Sequence, residues 1–225
     1  MEAEPTAPSM PLPSRLVKVF FSPGEVFEYT SKNPAWFGAL AIGATLIALS
    51  MLLIPAEIWI QGMREQAANQ GGELPGFMTS AGPAFRLISA LSGAVGTFLM
   101  VFIIAGVVTL FFAFLMGDDG RYKQYLSIQS HALIIGAVGS LLLVPLRIVQ
   151  EDPSLTLNVG TFLPFIQEGY AFRVLKLIDL FGLWSSVVMA VGVTKIDPRR
   201  GMGVALSFFL VLAVAMALVF GIFGG

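Results

Sequence analysis

Cysteine is absent from the 225 residues. That excludes a disulfide framework, a thiolate nucleophile and a cysteine-bound metal. A single histidine, His131, excludes a metal site built from several imidazoles. Charge is scarce as well: 12% of the residues are Asp, Glu, Lys or Arg, against about 25% in a soluble domain. The formal net charge of −1 leaves no basic surface for nucleic acid. Catalytic patterns are missing too. There is no Gly-x-Ser-x-Gly, no His-Glu-x-x-His and no glycine loop ending in the lysine that cradles phosphate. The adjacent acids Asp118 and Asp119 precede Gly120 and read as a turn with a capping carboxylate rather than a reactive pair. Neither an enzyme nor a cofactor is expected.

What the chain has instead is apolar length. Hydrophobic residues make up 56% and the mean hydropathy is +0.83. With so few charges, the long apolar runs must face lipid. Residues 1–13 hold four prolines and two acids and read as a disordered tail. They lack a basic start followed by an apolar run, so no cleavable signal is expected. From Ser14 the pattern becomes amphipathic, with Leu16, Val17, Phe20 and Phe21 beside Arg15 and Lys18, and it is broken at Pro23-Gly24. This segment is expected to lie at the membrane surface.

The remaining chain predicts an all-α, polytopic membrane domain over residues 14–225, with spans at about 35–54, 87–116, 125–146, 174–194 and 202–223. The first begins at the aromatic pair Trp36-Phe37 and stops at Pro55. The second is too long for one perpendicular crossing and too short for two, which suits a tilted helix. Small residues recur every four positions: Ser89, Gly93 and Thr97; then Ala132, Gly136 and Ser140; then Ala213, Ala217 and Gly221. Such faces allow helices to approach closely.

The stretch 172–195 is the most informative. Only 15 residues separate Asp179 from Lys195, about 22 Å of helix against a hydrocarbon core of about 30 Å. A spanning helix must therefore start near Val174 and carry Asp179 about one turn into the bilayer. Lys176, three residues earlier, shares its face and can reach back to the headgroups. An intramembrane carboxylate is either an ion or proton relay or a structural group paired within the bundle. His131 is similarly open to two readings, a satisfied polar residue in a helix contact or a proton sensor. The basic residues set orientation. Arg15, Lys18, Lys32, Arg121, Lys123, Lys195, Arg199 and Arg200 fall on one side, and Arg64, Arg86, Arg147, Arg173 and Lys176 on the other. This places the N-terminus inside and the C-terminus outside. Arg121, Lys123, Arg199 and Arg200 then act as topology determinants that can also touch anionic headgroups.

Four places resemble the Yip domain family, five-span membrane proteins named for interaction with Ypt/Rab GTPases, and specifically its bacterial branch. They are Phe21-Ser-Pro-Gly-Glu-Val-Phe before Pro34-Ala-Trp; Gly117-Asp-Asp-Gly-Arg-Tyr-Lys-Gln-Tyr-Leu-Ser; Ile178-Asp-Leu-Phe-Gly-Leu-Trp with Val191-Gly192; and Arg199-Arg200-Gly201. The resemblance covers residues 15–222. Eukaryotic members look like Golgi and endoplasmic-reticulum trafficking adaptors with a long cytosolic N-terminal region, whereas this chain has barely thirty residues before its first apolar run. The bacterial branch implies a multi-span protein of the cytoplasmic (inner) membrane. Two functions follow: a non-catalytic adaptor or organiser of a membrane assembly, or a transport component in which Asp179 lines a polar pathway. The expected partners are membrane lipids and protein within the membrane, with a homo-oligomer compatible and nucleic acid excluded.

Overall fold

The computed structural model describes residues 9–69, 71–78, 82–163, 165–166 and 169–223. Residues 1–8 of the expected tail lie outside them. Leu12 and Pro13 belong to a helix, α1 (Leu12–Phe21), whose first turn tolerates Pro13 because amide protons there have no intrahelical acceptor. Ser22 and Pro23 break the chain into α2 (Pro23–Lys32). Next come α3 (Phe37–Leu53) and α4 (Ala56–Asn69). Pro55 separates them: Ile54 is forced into extended geometry, and the two helices bend by 89°. Helix α5 (Pro83–Thr109) runs on through a π-helical turn, Leu110–Leu115. Helix α6 (Tyr122–Leu142) is followed by α7 (Val144–Val149), α8 (Gly169–Lys176), α9 (Leu180–Ile196) and α10 (Met202–Phe223).

Helix α6 is the centre of the bundle, packed against α3, α5 and α9, while α10 packs on α9. Its Tyr125, Ile128, Ala132 and Ile135 join Val188 and Val193 of α9 and Phe112 of the π turn in one apolar core. Extra room at the π turn lets Phe111 stack on Phe208 of α10, with ring centroids 4.2 Å apart. Helix pairs close where glycine leaves the backbone bare. A Cβ on Gly192 would lie 2.7 Å from Ile128, one on Gly139 would lie 2.5 Å from the Phe181 ring, and one on Gly43 would lie 2.7 Å from Leu133. The stripe Leu87, Leu91, Val95, Leu99 and Ile103 of α5 is exposed, as a lipid-facing surface requires.

The expectation of five spans is corrected by this structure. Three helical stretches are long and apolar enough to cross a membrane: Ala84–Leu115, Tyr122–Val149 and Met202–Ile222. A fourth is reached only if the bent pair α3–α4 is one broken span. The predicted helix over 174–194 is interrupted. Leu177 is a turn, its N–H bonded to Val174 O at 3.1 Å, and Asp179 is extended opposite Asn158, so that 178–180 pair with the loop at 157–159 through Val159 N–H to Ile178 O at 2.9 Å and Leu180 N–H to Leu157 O at 2.9 Å. Helix α9 therefore has 17 residues, about 25 Å, short of the hydrocarbon thickness. The N-terminal amphipathic segment packs one face into the bundle. Val19, Val26 and Phe27 are buried in the main core, although Val17 and Phe21 face outward at 61% and 84% exposure.

The contrast among glycines is testable. Gly136, expected at a close contact, has open space beside it, whereas Gly192 does not. Gly192→Leu should destabilise the detergent-solubilised protein by about 1–3 kcal/mol through overpacking. Gly136→Ala should be neutral or stabilising by up to about 1 kcal/mol, since alanine is the better helix former. Thermal unfolding of the two variants checks both.

Candidate functional site

Two turns meet at one end of the bundle. The first follows the π turn, where Gly117 takes the left-handed backbone conformation (φ 73°) and lets Asp118 N–H close on Phe112 O at 2.9 Å. The second is the α9–α10 turn, where Asp197 accepts the Arg199 backbone N–H at 2.9 Å. Arg199 then folds onto Asp197, its Nε donating to both carboxylate oxygens at 2.9 and 3.0 Å, and its Nη2 reaches Asp119 Oδ2 at 3.0 Å. Arg200 pairs with Asp118 and donates to the Met116 carbonyl. Arg199 Nη2 also donates to Gly117 O at 3.3 Å. The two guanidiniums thus cover carbonyls left free at the C-terminal end of the α5 rod, where positive charge is favoured.

The carboxylates differ in exposure. The Asp118 side chain is fully buried and that of Asp119 is 93% exposed. Under Asp118 lies Tyr125, whose hydroxyl donates to Asp118 Oδ2 at 3.5 Å; Gly120 makes room for its ring. The hydrogen bonds from Arg199 hold the Asp197 carboxyl well below the usual carboxylate range, against the opposing effect of its burial. The same bonds raise the Arg199 guanidinium.

The remaining predicted residues are dispersed. Arg121 and Lys123 are exposed at the start of α6. There Gln124 accepts the Arg121 N–H at 2.6 Å and donates to Ser31 O at 2.7 Å, fastening α2 to α6. His131 is fully buried, with Nδ1 2.8 Å from Ser127 O and its ring edge-on to Phe27. Asp179 and Lys176 lie at the opposite end. Asp179 is the N-cap of α9, its Oδ1 accepting the N–H groups of Phe181 at 2.9 Å and Gly182 at 3.0 Å. Lys176 ends α8, its Nζ 5.6 Å from the Phe172 ring centroid. The break at 177–179 removes the shared helical face on which the two were expected to meet, and no ion pair joins them among the described residues. Sequence reasoning missed that the acidic doublet Asp118-Asp119 and the basic doublet Arg199-Arg200 neutralise one another. Their opposite signs in two turns assigned to the same side were the available signal. Among the described residues, no group of three or more His, Asp or Glu side chains could hold a metal ion.

A family model described as the Yip1 domain matches residues 17–222. The chain is 26% identical over 223 residues to "Membrane protein YknW" of Bacillus subtilis (strain 168), covering 93% of this chain and 89% of that protein. No solved structure matches.

Arg200→Gln strands the buried Asp118 carboxylate and should cost about 3–5 kcal/mol. The double variant Asp118→Asn/Arg200→Gln should lose less than the two single losses combined. Thermal melts of the three variants measure this. For Asp197 the folded carboxyl sits below its unfolded value, so its contribution is present above about pH 4 and is lost as the pH falls below that. A melting-temperature profile from pH 7 to pH 3 should drop at its acid end, and Asp197→Asn should flatten that drop.

Proposed function

Because the chain belongs to the Yip1 domain family, we propose that it is a non-catalytic organiser of a protein assembly in the bacterial cytoplasmic membrane. The observation that carries this reading is how the polar side chains within the apolar helices are used. Ser50 bonds Ser140 at 3.1 Å, Ser185 bonds Ala132 O at 3.3 Å, and Thr97, Thr109, Ser130 and Ser186 bond carbonyls of their own helices. Asp179, the carboxylate on which a transport reading depends, caps a helix. Two of these bonds tie helices to each other and the other four are satisfied within their own helix, and the outward surface of α5 and α10 is apolar. Such a surface suits lipid and partner helices.

The orientation proposed here has support that does not depend on counting spans. Helices α1 and α2 share one end with the Asp118 and Arg199 turns, joined through Gln124 to Ser31 and through Lys195 to Glu28 at 3.8 Å. That end gathers Arg15, Lys18, Lys32, Arg121, Lys123, Lys195, Arg199 and Arg200, and it is the cytoplasmic face. Helix α10 leads to the other end, where Arg173 donates to Gly221 O at 3.0 Å and Tyr170 to Leu218 O at 2.7 Å. In the proposed orientation the C-terminal end of α10 lies outside.

In-cell crosslinking, gentle extraction and mass spectrometry should recover a stoichiometric membrane partner; a clean homo-oligomer without one would count against the organiser role. Asp179→Asn should leave assembly and stability nearly unchanged, because asparagine caps as well as aspartate, while Asp179→Ala should cost about 1 kcal/mol. Loss of a solute or ion flux in a normally folded Asp179→Asn protein would favour the transport reading instead.

A further inference from the structure

Helices α9 and α10 pack side by side from the Arg199 turn that joins them, yet they differ in length. Helix α9 has 17 residues and α10 has 22, about 25 Å against about 33 Å. Helix α10 matches the hydrocarbon core, and Leu218, Val219, Phe220 and Ile222 in its last turns face outward. Helix α9 therefore stops about 8 Å short of the level at which α10 ends.

The chain that precedes α9 occupies this depth. Helix α8 crosses the last turns of α10: Tyr170 Oη donates to Leu218 O at 2.7 Å, Arg173 Nε donates to Gly221 O at 3.0 Å, and a Cβ on Gly221 would lie 2.9 Å from Val174. The short helical turn Val159–Phe162 rests in turn on α8, where a Cβ on Gly160 would lie 3.3 Å from Phe172. Both elements are thus level with the lipid-facing residues of α10. Irregular backbone at such a depth must find its partners within the protein, and here it does. Besides the pairing of 157–159 with 178–180, buried Asn158 accepts the Thr161 N–H at 3.0 Å and donates to Thr156 O at 3.0 Å, and Thr156 Oγ1 donates to Lys176 O at 3.2 Å. The bulky side chains turned outward are apolar. Phe162 and Phe165 are each 78% exposed, and Leu180 and Trp184 continue the surface along α9. Phenylalanine held in water forgoes the gain of burial, whereas the same ring in a leaflet does not.

We propose that the segment 157–163, Phe165 and α8 form a re-entrant cap inserted into the leaflet at the C-terminal end of α10. Phe162 and Phe165 lie among phospholipid acyl chains, and the cap fills the depth that α9 does not reach. The charges at this level are compatible with the position. Asp179 is held by the N–H groups of Phe181 and Gly182, and the stem of Lys176 is long enough to return its ammonium to the headgroups. Which leaflet this is rests on the orientation proposed above; the insertion itself does not.

The test uses the absence of cysteine from the chain. Four single variants of the full-length protein are placed in phospholipid nanodiscs, open to water on both faces, and labelled with a nitroxide. They are Phe162→Cys, Phe165→Cys, Leu99→Cys on the outward stripe of α5, and Glu73→Cys in an exposed loop. Oxygen concentrates in hydrocarbon and a nickel chelate stays in water. Oxygen collisions should exceed nickel collisions at 162 and 165, as at 99, and the order should reverse at 73. Before labelling, the cysteines at 162 and 165 should react with a charged maleimide about tenfold more slowly than the one at 73. The proposal is overturned if either site behaves like 73. It is equally overturned if oxygen and nickel are both excluded at 162 and 165, the mark of a covering protein. Two labelled sites keep the test open should one variant not fold. Neither readout depends on orientation or on a membrane partner, so failure of the organiser reading would leave both unchanged.

Discussion

The contact on which the bundle depends is Ile128 of α6 lying against bare backbone at Gly192 of α9. Lipid tails are as apolar as leucine, so burying apolar side chains between helices in a membrane brings little hydrophobic gain. Helices associate there through close dispersion contacts and the few polar bonds between them. Glycine at 192 brings α9 within reach of α6, and Gly139 does the same for Phe181 in the opposite direction. Gly43 seats Leu133 between α3 and α6. Helix α6 is thus enclosed on several sides, and this is why its Ser127, Ser130 and His131 are shielded from lipid although they stand in a membrane helix.

Once the helices are close, their ends must be finished, and here charge takes over. The rod formed by α5 and its π turn ends at Gly117 with carbonyls that no helical N–H can reach. Arg199 and Arg200 supply donors to those carbonyls from the neighbouring turn, while Asp118, Asp119 and Asp197 neutralise the guanidiniums. Each arginine meets two needs, as a helix C-terminal partner and as a counter-ion. This explains why residues read as topology signals also fix the position of α10 relative to α5.

Much of this was legible from local signals. The apolar runs at 87–116, 125–146 and 202–223 fall on the long apolar helical stretches Ala84–Leu115, Tyr122–Val149 and Met202–Ile222, and Pro55 ended α3 as its geometry demands. The break before α9 was not legible. Lys176 and Asp179 fit one helical face as well as they fit a helix end followed by an N-cap. What decides is the pairing of 178–180 with 157–159, contacts about twenty residues apart that local pattern does not encode. The small-residue rule found close contacts at Gly93 and Gly221, where a Cβ would run into Met51 and would lie 2.9 Å from Val174, but not at Gly136. Four-residue spacing selects Ala132, Gly136 and Ser140, but the groove used by Phe181 opens at Gly139, and only the direction of α9 determines that. Arg15 was misplaced because an amphipathic pattern assigns a cation to the wet side, whereas α1 rotates it inward with Val19.

The arginines that bind groups of this chain divide into two kinds. Arg147, Arg173, Arg199 and Arg200 end on carbonyls, hydroxyls or carboxylates of this chain, and each ties a loop or a short helix to the bundle. For Arg147, Arg173 and Arg200 the cost of desolvating the guanidinium is offset by partners that the fold itself positions, while Arg199 stays 61% exposed. Arg15 receives only one carbonyl and an aromatic face. The four arginines that tie turns and loops are thus better matched within the chain than Arg15. The difference lies in what surrounds each group: the α5–α6 and α9–α10 turns carry their own carboxylates, whereas no carboxylate pairs with Arg15 among the described residues.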